Sequence, residues 1–394
     1  MWNQTLMTTS LVLVLGFGQG LLTSPKAAAE TPVQHKLERG GQVSVHNPKG
    51  SVAIQGWDQE TVEAVATRQG KVVGVDISQD SADHLVIAPS PRSASDVHLE
   101  IKVPRYAEIK SLECGEDIKV NGVAGAVRVT STSGNLEISQ VGPLNASTTS
   151  GDIRVETVSG RTLVNTSSGN IQILRAGPTE AKTTSGDVSV ADTEGAVTAR
   201  TNSGKITARN IGGDLFVKTI SGGVSAENVK GLVNASSTSQ EITVKNASGD
   251  AKAISISGDV RLECVKGRAE SNTVSGSISL EGIGGDVEAT TTSGDVRFNG
   301  ILRPTGHYRL KSFSGEARMN LAGSVPGFTA ALSTYSGDIE TDFTLTVESP
   351  ERQGAVNRRL VGRYGDGKTQ VSLESFSGEI QLKKGNADKS ENCR

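Results

Sequence analysis

Several protein classes are excluded by what this chain lacks. Its formal net charge is −3 over 394 residues, and its basic residues are spread along the sequence instead of gathered in a block. It therefore carries no electrostatic footprint for nucleic acid. After the first 29 residues no stretch reaches the ~18 apolar residues of a membrane-spanning helix, so the mature chain is expected to hold no integral membrane segment. Nor does any ten-residue stretch there show the 3.6-residue period of an amphipathic helix. Aromatic residues are only 3%, whereas valine, isoleucine, threonine and serine abound. That is the composition of strands, and a nearly all-β chain is expected. The five histidines, His35, His46, His84, His98 and His307, include no His-x-His spacing. Neither a metal site nor any other cofactor is expected.

What the chain does have is a regular Ser-Gly series. The dipeptide stands at Ser133, Ser150, Ser168, Ser185, Ser203 and Ser221, slips to Ser239-Gln240, and resumes at Ser257, Ser275 and Ser293. Successive steps are 17, 18, 17, 18, 18, 18, 18, 18 and 18 residues. Such a period marks a solenoid in which each repeat is one coil stacked on the last.

Each repeat reads as strand, turn, strand, turn. Gly151-Asp152 is a turn signal, Ile153-Arg154-Val155-Glu156 alternates apolar with polar, and Gly160 marks a second turn. Stacking the repeats makes columns. Ile153, Ile171, Val188, Ile206, Val224, Ile242, Val260, Ile278 and Val296 form one aliphatic column. Small residues recur on the second strand, at Ala146, Val164, Ala181, Ala199, Val217, Ala235, Ala253 and Ala289. Beside them runs a hydroxyl column through Thr148, Thr166, Thr183, Thr201, Thr219, Ser237, Ser255, Thr273 and Thr291. Large side chains face small ones across a narrow core. The expected fold is an all-β, single-stranded parallel β-solenoid (a β-helix) with two strands per coil of about eighteen residues and ~4.8 Å between coils. Hydrogen bonds along the stack would satisfy the hydroxyls.

The ends differ. Residues 1–29 read as a signal peptide: an apolar run from Leu11 to Leu15, then Ala27-Ala28-Ala29, which fits a small-x-small cleavage site ahead of Glu30. An uncleaved anchor is the alternative, since no Lys or Arg precedes the apolar run. Residues 30–111 are taken as an N-terminal β region and cap, because a solenoid must cover its first coil. Residues 112–300 are the regular solenoid. Residues 301–386 form wider C-terminal coils with a polar insertion, since the Ser-Gly steps lengthen to 21, 22 and 41 at Ser314, Ser336 and Ser377. The stretch Glu348 to Lys368, with Arg358 and Arg359, reads as a polar hairpin or loop beside the final coils. Residues 387–394 are a polar tail. Cys114 and Cys264 fall eight coils apart by the Ser-Gly count, about 38 Å, too far for a disulfide between them. Cys393 lies in the tail and is available for a bond to another chain.

Candidate chemistry is sparse. Asp152, Asp187, Asp259, Asp295 and Asp338 follow the turn glycine and invite a calcium reading, but the same slot holds Lys205, Gly223 and Ser277. A turn preference explains them better. Outward acids such as Glu137, Glu156, Glu263 and Glu281 alternate with Arg154, Arg209, Lys245 and Arg261 as a mixed, solvated face, not as the paired carboxylates of a glycosidase. No catalytic residue is assigned. Phe313, Tyr335 and Phe376 each directly precede a Ser-Gly in the final coils. An aromatic stack is expected there, read either as a strip for a sugar or a partner or as filler of wider coils.

The repeated Ser-Gly-Asp-Ile/Val-x-Val pattern resembles a known family. Its members are exported bacterial β-strand-repeat proteins, catalogued as adhesins and formerly as a domain of unknown function. Gly50-Ser51-Val52-Ala53-Ile54-Gln55-Gly56-Trp57-Asp58 is similar to the family's opening segment. Gly365-Asp366-Gly367, with Val371-Ser372-Leu373 and Phe376-Ser377-Gly378-Glu379-Ile380, is similar to its closing segment. The resemblance implies an exported β-solenoid and supplies no catalytic residues. The expected protein is a non-enzymatic cell-envelope scaffold, periplasmic, surface-exposed or extracellular, whose partner is a glycan or an envelope protein. A carbohydrate-active β-helix lyase or hydrolase is the first alternative. A periplasmic partner of an envelope-stress pathway is the second.

Overall fold

A computed structural model describes residues 32–81, 83–92, 94, 96–347, 358–385 and 393. The signal-peptide reading falls on residues outside that set. Among the described residues there is no α-helix, and two ladders of parallel strands carry the chain. Coils repeat in register: Ile153 pairs with Ile171, Ile171 with Val188 and Val188 with Ile206 in one ladder. In the other, Ala146 pairs with Val164, Val164 with Ala181 and Ala181 with Ala199. The protein is the parallel β-solenoid that its periodicity predicts.

The predicted columns are the core. The aliphatic row from Ile153 to Val296 and the facing alanines and valines are buried throughout. The narrow interior thus follows from a large-to-small pairing across the two ladders. Core residues become bulky only where coils widen, with Phe298 and Tyr308 meeting edge to face at 5.4 Å.

One corner of each regular coil is built from the hydroxyl column and the Ser-Gly turn. Thr183 donates to the carbonyl of Gly169 (3.1 Å), Thr201 to that of Gly186 (3.0 Å), Thr219 to that of Gly204 (3.1 Å) and Thr291 to that of Gly276 (2.8 Å). Each hydroxyl therefore ties its coil to the preceding one. The glycine is required by close approach: a Cβ on Gly204 would overlap the carbonyl oxygen of Gly186, and one on Gly222 that of Gly204. At the departure point Gln240 keeps the turn, donating its N–H to Ser237 as Gly222 does to Thr219.

The ends do not follow chain order. The coil of Gln42–Asn47 and Gly50–Trp57 lies between that of His84–Ser90 and Val97–Pro104 on its outer side and that of Glu108–Cys114 and Ile118–Asn121 on its inner side. Antiparallel strands then cover the outermost coil, Thr61–Arg68 on one ladder and Lys71–Ser81 on the other. The C-terminal end uses the same plan in reverse. The last coil in sequence, Thr369–Ser375 and Ile380–Lys384, sits between the coil of His307–Ser312 and that of Phe328–Thr334. Coils that the lengthening Ser-Gly steps suggest run 314, 336, 377 are stacked 314, 377, 336. The stretch read as a polar hairpin or loop beside the final coils supplies Arg358–Tyr364, which pairs antiparallel with Thr346–Val347 and along the whole of Phe328–Thr334. Both arrangements blunt a parallel edge that would otherwise template another chain.

Candidate binding surface

The row that matters for recognition lies one residue before the serine of each turn. Because the corner is locked by the hydroxyl and the glycine, the residue at this position must point outward. In the first coils it is Thr132, Thr149, Ser167, Thr184 and Asn202. From there it becomes apolar: Ile220, Ile256 and Val274, with Thr238 and Thr292 between them, then Phe313, Phe376 and Tyr335. The three aliphatic residues are 45–50% exposed, and Phe313, Phe376 and Tyr335 are 50%, 44% and 43% exposed.

The inserted last coil brings the three aromatic rings together. Phe313 and Phe376 lie 4.7 Å apart between centroids, Phe376 and Tyr335 4.8 Å apart, both pairs within 1° of parallel. The backbone enforces this, with Phe376 donating its N–H to Phe313 and Tyr335 to Phe376. The spacing equals the strand spacing of the stack. Each inner ring face is covered by its neighbour, so the row offers solvent its ring edges, which carry the positive end of the aromatic quadrupole. The exposed aliphatic continuation was missed in the sequence. Its signal is there, in the single alignment column before each turn serine.

The outward charges pair locally. Lys119 meets Glu137 at 2.9 Å, Lys245 meets Glu263 at 3.1 Å, and Arg175 meets Glu156. Burial works against the charge on Glu263, but hydrogen bonds from Arg261 and Lys245 outweigh it and hold its carboxyl below the ordinary range. Glu374 behaves alike, with burial overcome chiefly by Arg309. A hydrogen bond from Lys182 lowers Glu180. Every described carboxylate with a shifted pKa moves downward.

The turn aspartates have a structural task. Asp152 accepts the N–H of Asn170 (2.7 Å), Asp187 that of Lys205 (2.8 Å) and Asp259 that of Ser277 (2.8 Å), extending the ladder around the corner. Among the described residues no three His, Cys, Asp or Glu groups gather as a metal site. His84 and His98 instead bond Ser44 and Ser51 at 2.8 and 2.7 Å.

A second corner carries an asparagine ladder that sequence reasoning overlooked. One residue per coil adopts left-handed backbone there: Gln140, Thr157, Arg175, Asp192, Asn210, Asn228, Asn246 and Cys264, with φ between 53° and 59°. Asparagine tolerates that conformation best among these. The side-chain amide of Asn210 donates to Asp192 (2.7 Å), that of Asn228 to Asn210 (2.9 Å) and that of Asn246 to Asn228 (3.0 Å). The row lines an open groove of about 660 Å³ that ends at Cys264 and Cys393. These two cysteines are disulfide-bonded across 129 residues of sequence. The expected absence of a Cys114–Cys264 bond holds, and Cys114 is a buried free thiol. Cys393 bonds within its own chain, which corrects its reading as a link to another chain.

Two overlapping matches to the family model described as Toastrack DUF4097 span residues 49–246 and 212–383. The chain belongs to this family of β-repeat proteins. Among solved structures it is similar to a "putative cell adhesion protein" from Clostridium sporogenes, at 12% identity over 90% of this chain and 100% of that one, with a TM-score of 0.15. A superposition that poor carries no argument. No curated protein matches the chain.

Proposed function

We propose that this protein is a non-enzymatic, exported cell-envelope scaffold that binds through the row ending in Phe313, Phe376 and Tyr335. The observation that carries the reading is the aromatic ladder itself: three large rings held rigidly at the surface, half exposed, where every coil could have used threonine. Rigid aromatic anchors are the usual energetic centres of recognition surfaces. Because ring faces cover one another, sugars have few faces on which to stack. An envelope protein is thus favoured over a glycan as the partner. Export is supported by residues 1–29 and by the Cys264–Cys393 bond, which belongs to an oxidising compartment. The region divisions follow: leader 1–29, cap 30–111, regular coils 112–300, wide coils 301–386 and tail 387–394.

The test is to display the purified chain to peptidoglycan fragments, a glycan array and isolated envelope proteins, with release of soluble product followed on every hit. A replacement of Phe313, Phe376 and Tyr335 by threonine should stay folded and lose the ligand. Product formation, or undiminished binding by that variant, overturns the reading.

A further inference from the structure

We infer that the apolar row is a self-association surface, and that its occupant is a second copy of this chain. The inference rests on the reading of the row as a binding surface and names the partner. The row runs from Ile220 through Thr238, Ile256, Val274, Thr292, Phe313 and Phe376 to Tyr335, one residue per coil. Seven steps at the strand spacing make it about 34 Å long. It ends abruptly, since the next residue back is Asn202 and then Thr184.

Period decides the occupant. A partner that packs along the whole row must present side chains at the row's own ~4.8 Å repeat. A helix offers about 5.4 Å per turn and slips by half a repeat within about four turns. An extended strand laid along the row offers same-face side chains about 6.8 Å apart and slips sooner. A second copy has the same repeat at every coil, so the outer edges of the two rows can stay in step along their whole length. Identical patches meeting one another are also the ordinary geometry of a two-fold dimer.

Area sets the strength. A strip about 10 Å wide along about 34 Å buries on the order of 340 Å² per copy, less than half of the ~800 Å² of a standard interface. The association is therefore of the weak, reversible kind.

Sedimentation equilibrium of the purified chain from about 1 to about 200 μM tests this. The average mass should rise towards twice the monomer. The combined Ile220→Thr, Ile256→Thr and Val274→Thr variant adopts the residue the row already carries at Thr238 and Thr292, and should weaken pairing at least ~10-fold. Thr292→Lys removes no packing and places a charge mid-row, and should abolish pairing. Phe216→Thr alters an exposed ring four residues before Ile220, on the strand and outside the row, and should change nothing. A wild-type chain that stays monomeric throughout overturns the inference, as does equal weakening by Phe216→Thr or pairing unaffected by Thr292→Lys. If the wild type is monomeric while the aromatic variant still loses an envelope ligand, self-association falls and the binding reading stands.

Discussion

The substitution Thr219→Val isolates the chemistry of the hydroxyl corner. Thr219 is 1% exposed, and its hydroxyl both donates to the carbonyl of Gly204 and accepts the N–H of Gly222, each at 3.1 Å. Valine keeps the β-branch and volume yet removes both bonds. Leaving a buried donor or acceptor unmet costs about 1–3 kcal/mol each, so two orphans cost about 1–5 kcal/mol after the gain of about 1 kcal/mol from an added buried methyl. Thr219→Ser keeps the oxygen and loses one methyl, about 1 kcal/mol. The column itself carries serine at Ser237 and Ser255. Urea unfolding should therefore rank wild type, serine, then valine, and amide exchange at Gly222 should accelerate most in the valine variant. A valine variant as stable as the serine variant would refute the claim that these bonds, and not shape, hold the corner.

Gly204→Ala should be more damaging than any single hydroxyl change, by about 3 kcal/mol or more, because its Cβ meets backbone that cannot move without displacing neighbouring coils. Thermal melting reads this directly, and a loss below about 1 kcal/mol would contradict the close stacking of glycines. Cys393→Ser, or reduction of the wild type, should lower the melting temperature, since closing a 129-residue loop contributes up to about 5 kcal/mol. The Cys393→Ser variant should then be indifferent to reductant. Glu263 has a folded pKa below its ordinary 4.5, so its stabilisation is present above about pH 4.5 and is lost as pH falls through the folded value. Glu263→Gln should flatten the fall in melting temperature between about pH 5 and 3, and an unchanged acid limb would refute the pairing with Arg261 and Lys245.

The regular coils were legible because a parallel in-register stack places the same requirement on one residue in every repeat. Glycine recurs where a carbonyl comes too close for a Cβ, and threonine where a turn carbonyl needs a donor. The ends obey another logic. Steps of 21, 22 and 41 residues record how much chain separates two turns and not which coil lies against which. Placing Ser377 between Ser314 and Ser336 requires the antiparallel cover strand Arg358–Tyr364, whose only local sign is a polar, arginine-rich stretch. The Cys264–Cys393 bond was hidden for the same reason, because a tail has no repeat phase. The aromatic site was legible as three residues in one turn slot, but their order, Phe313, Phe376, Tyr335, came only with the inserted coil. Asn210, Asn228 and Asn246 were visible at eighteen-residue spacing, yet a polar column outside the alternating strands looks like ordinary loop until its left-handed backbone is seen.

The central claim is that a rigid, exposed ladder binds and does no chemistry. It is tested most directly by passing isolated envelope fragments over immobilised wild type and over the variant with threonine at 313, 376 and 335, with soluble product assayed in the flow-through. The account predicts retention on the wild type, loss of retention on a variant that melts cooperatively, and no product from either. Equal retention on both surfaces, or release of product from the wild type, would contradict it.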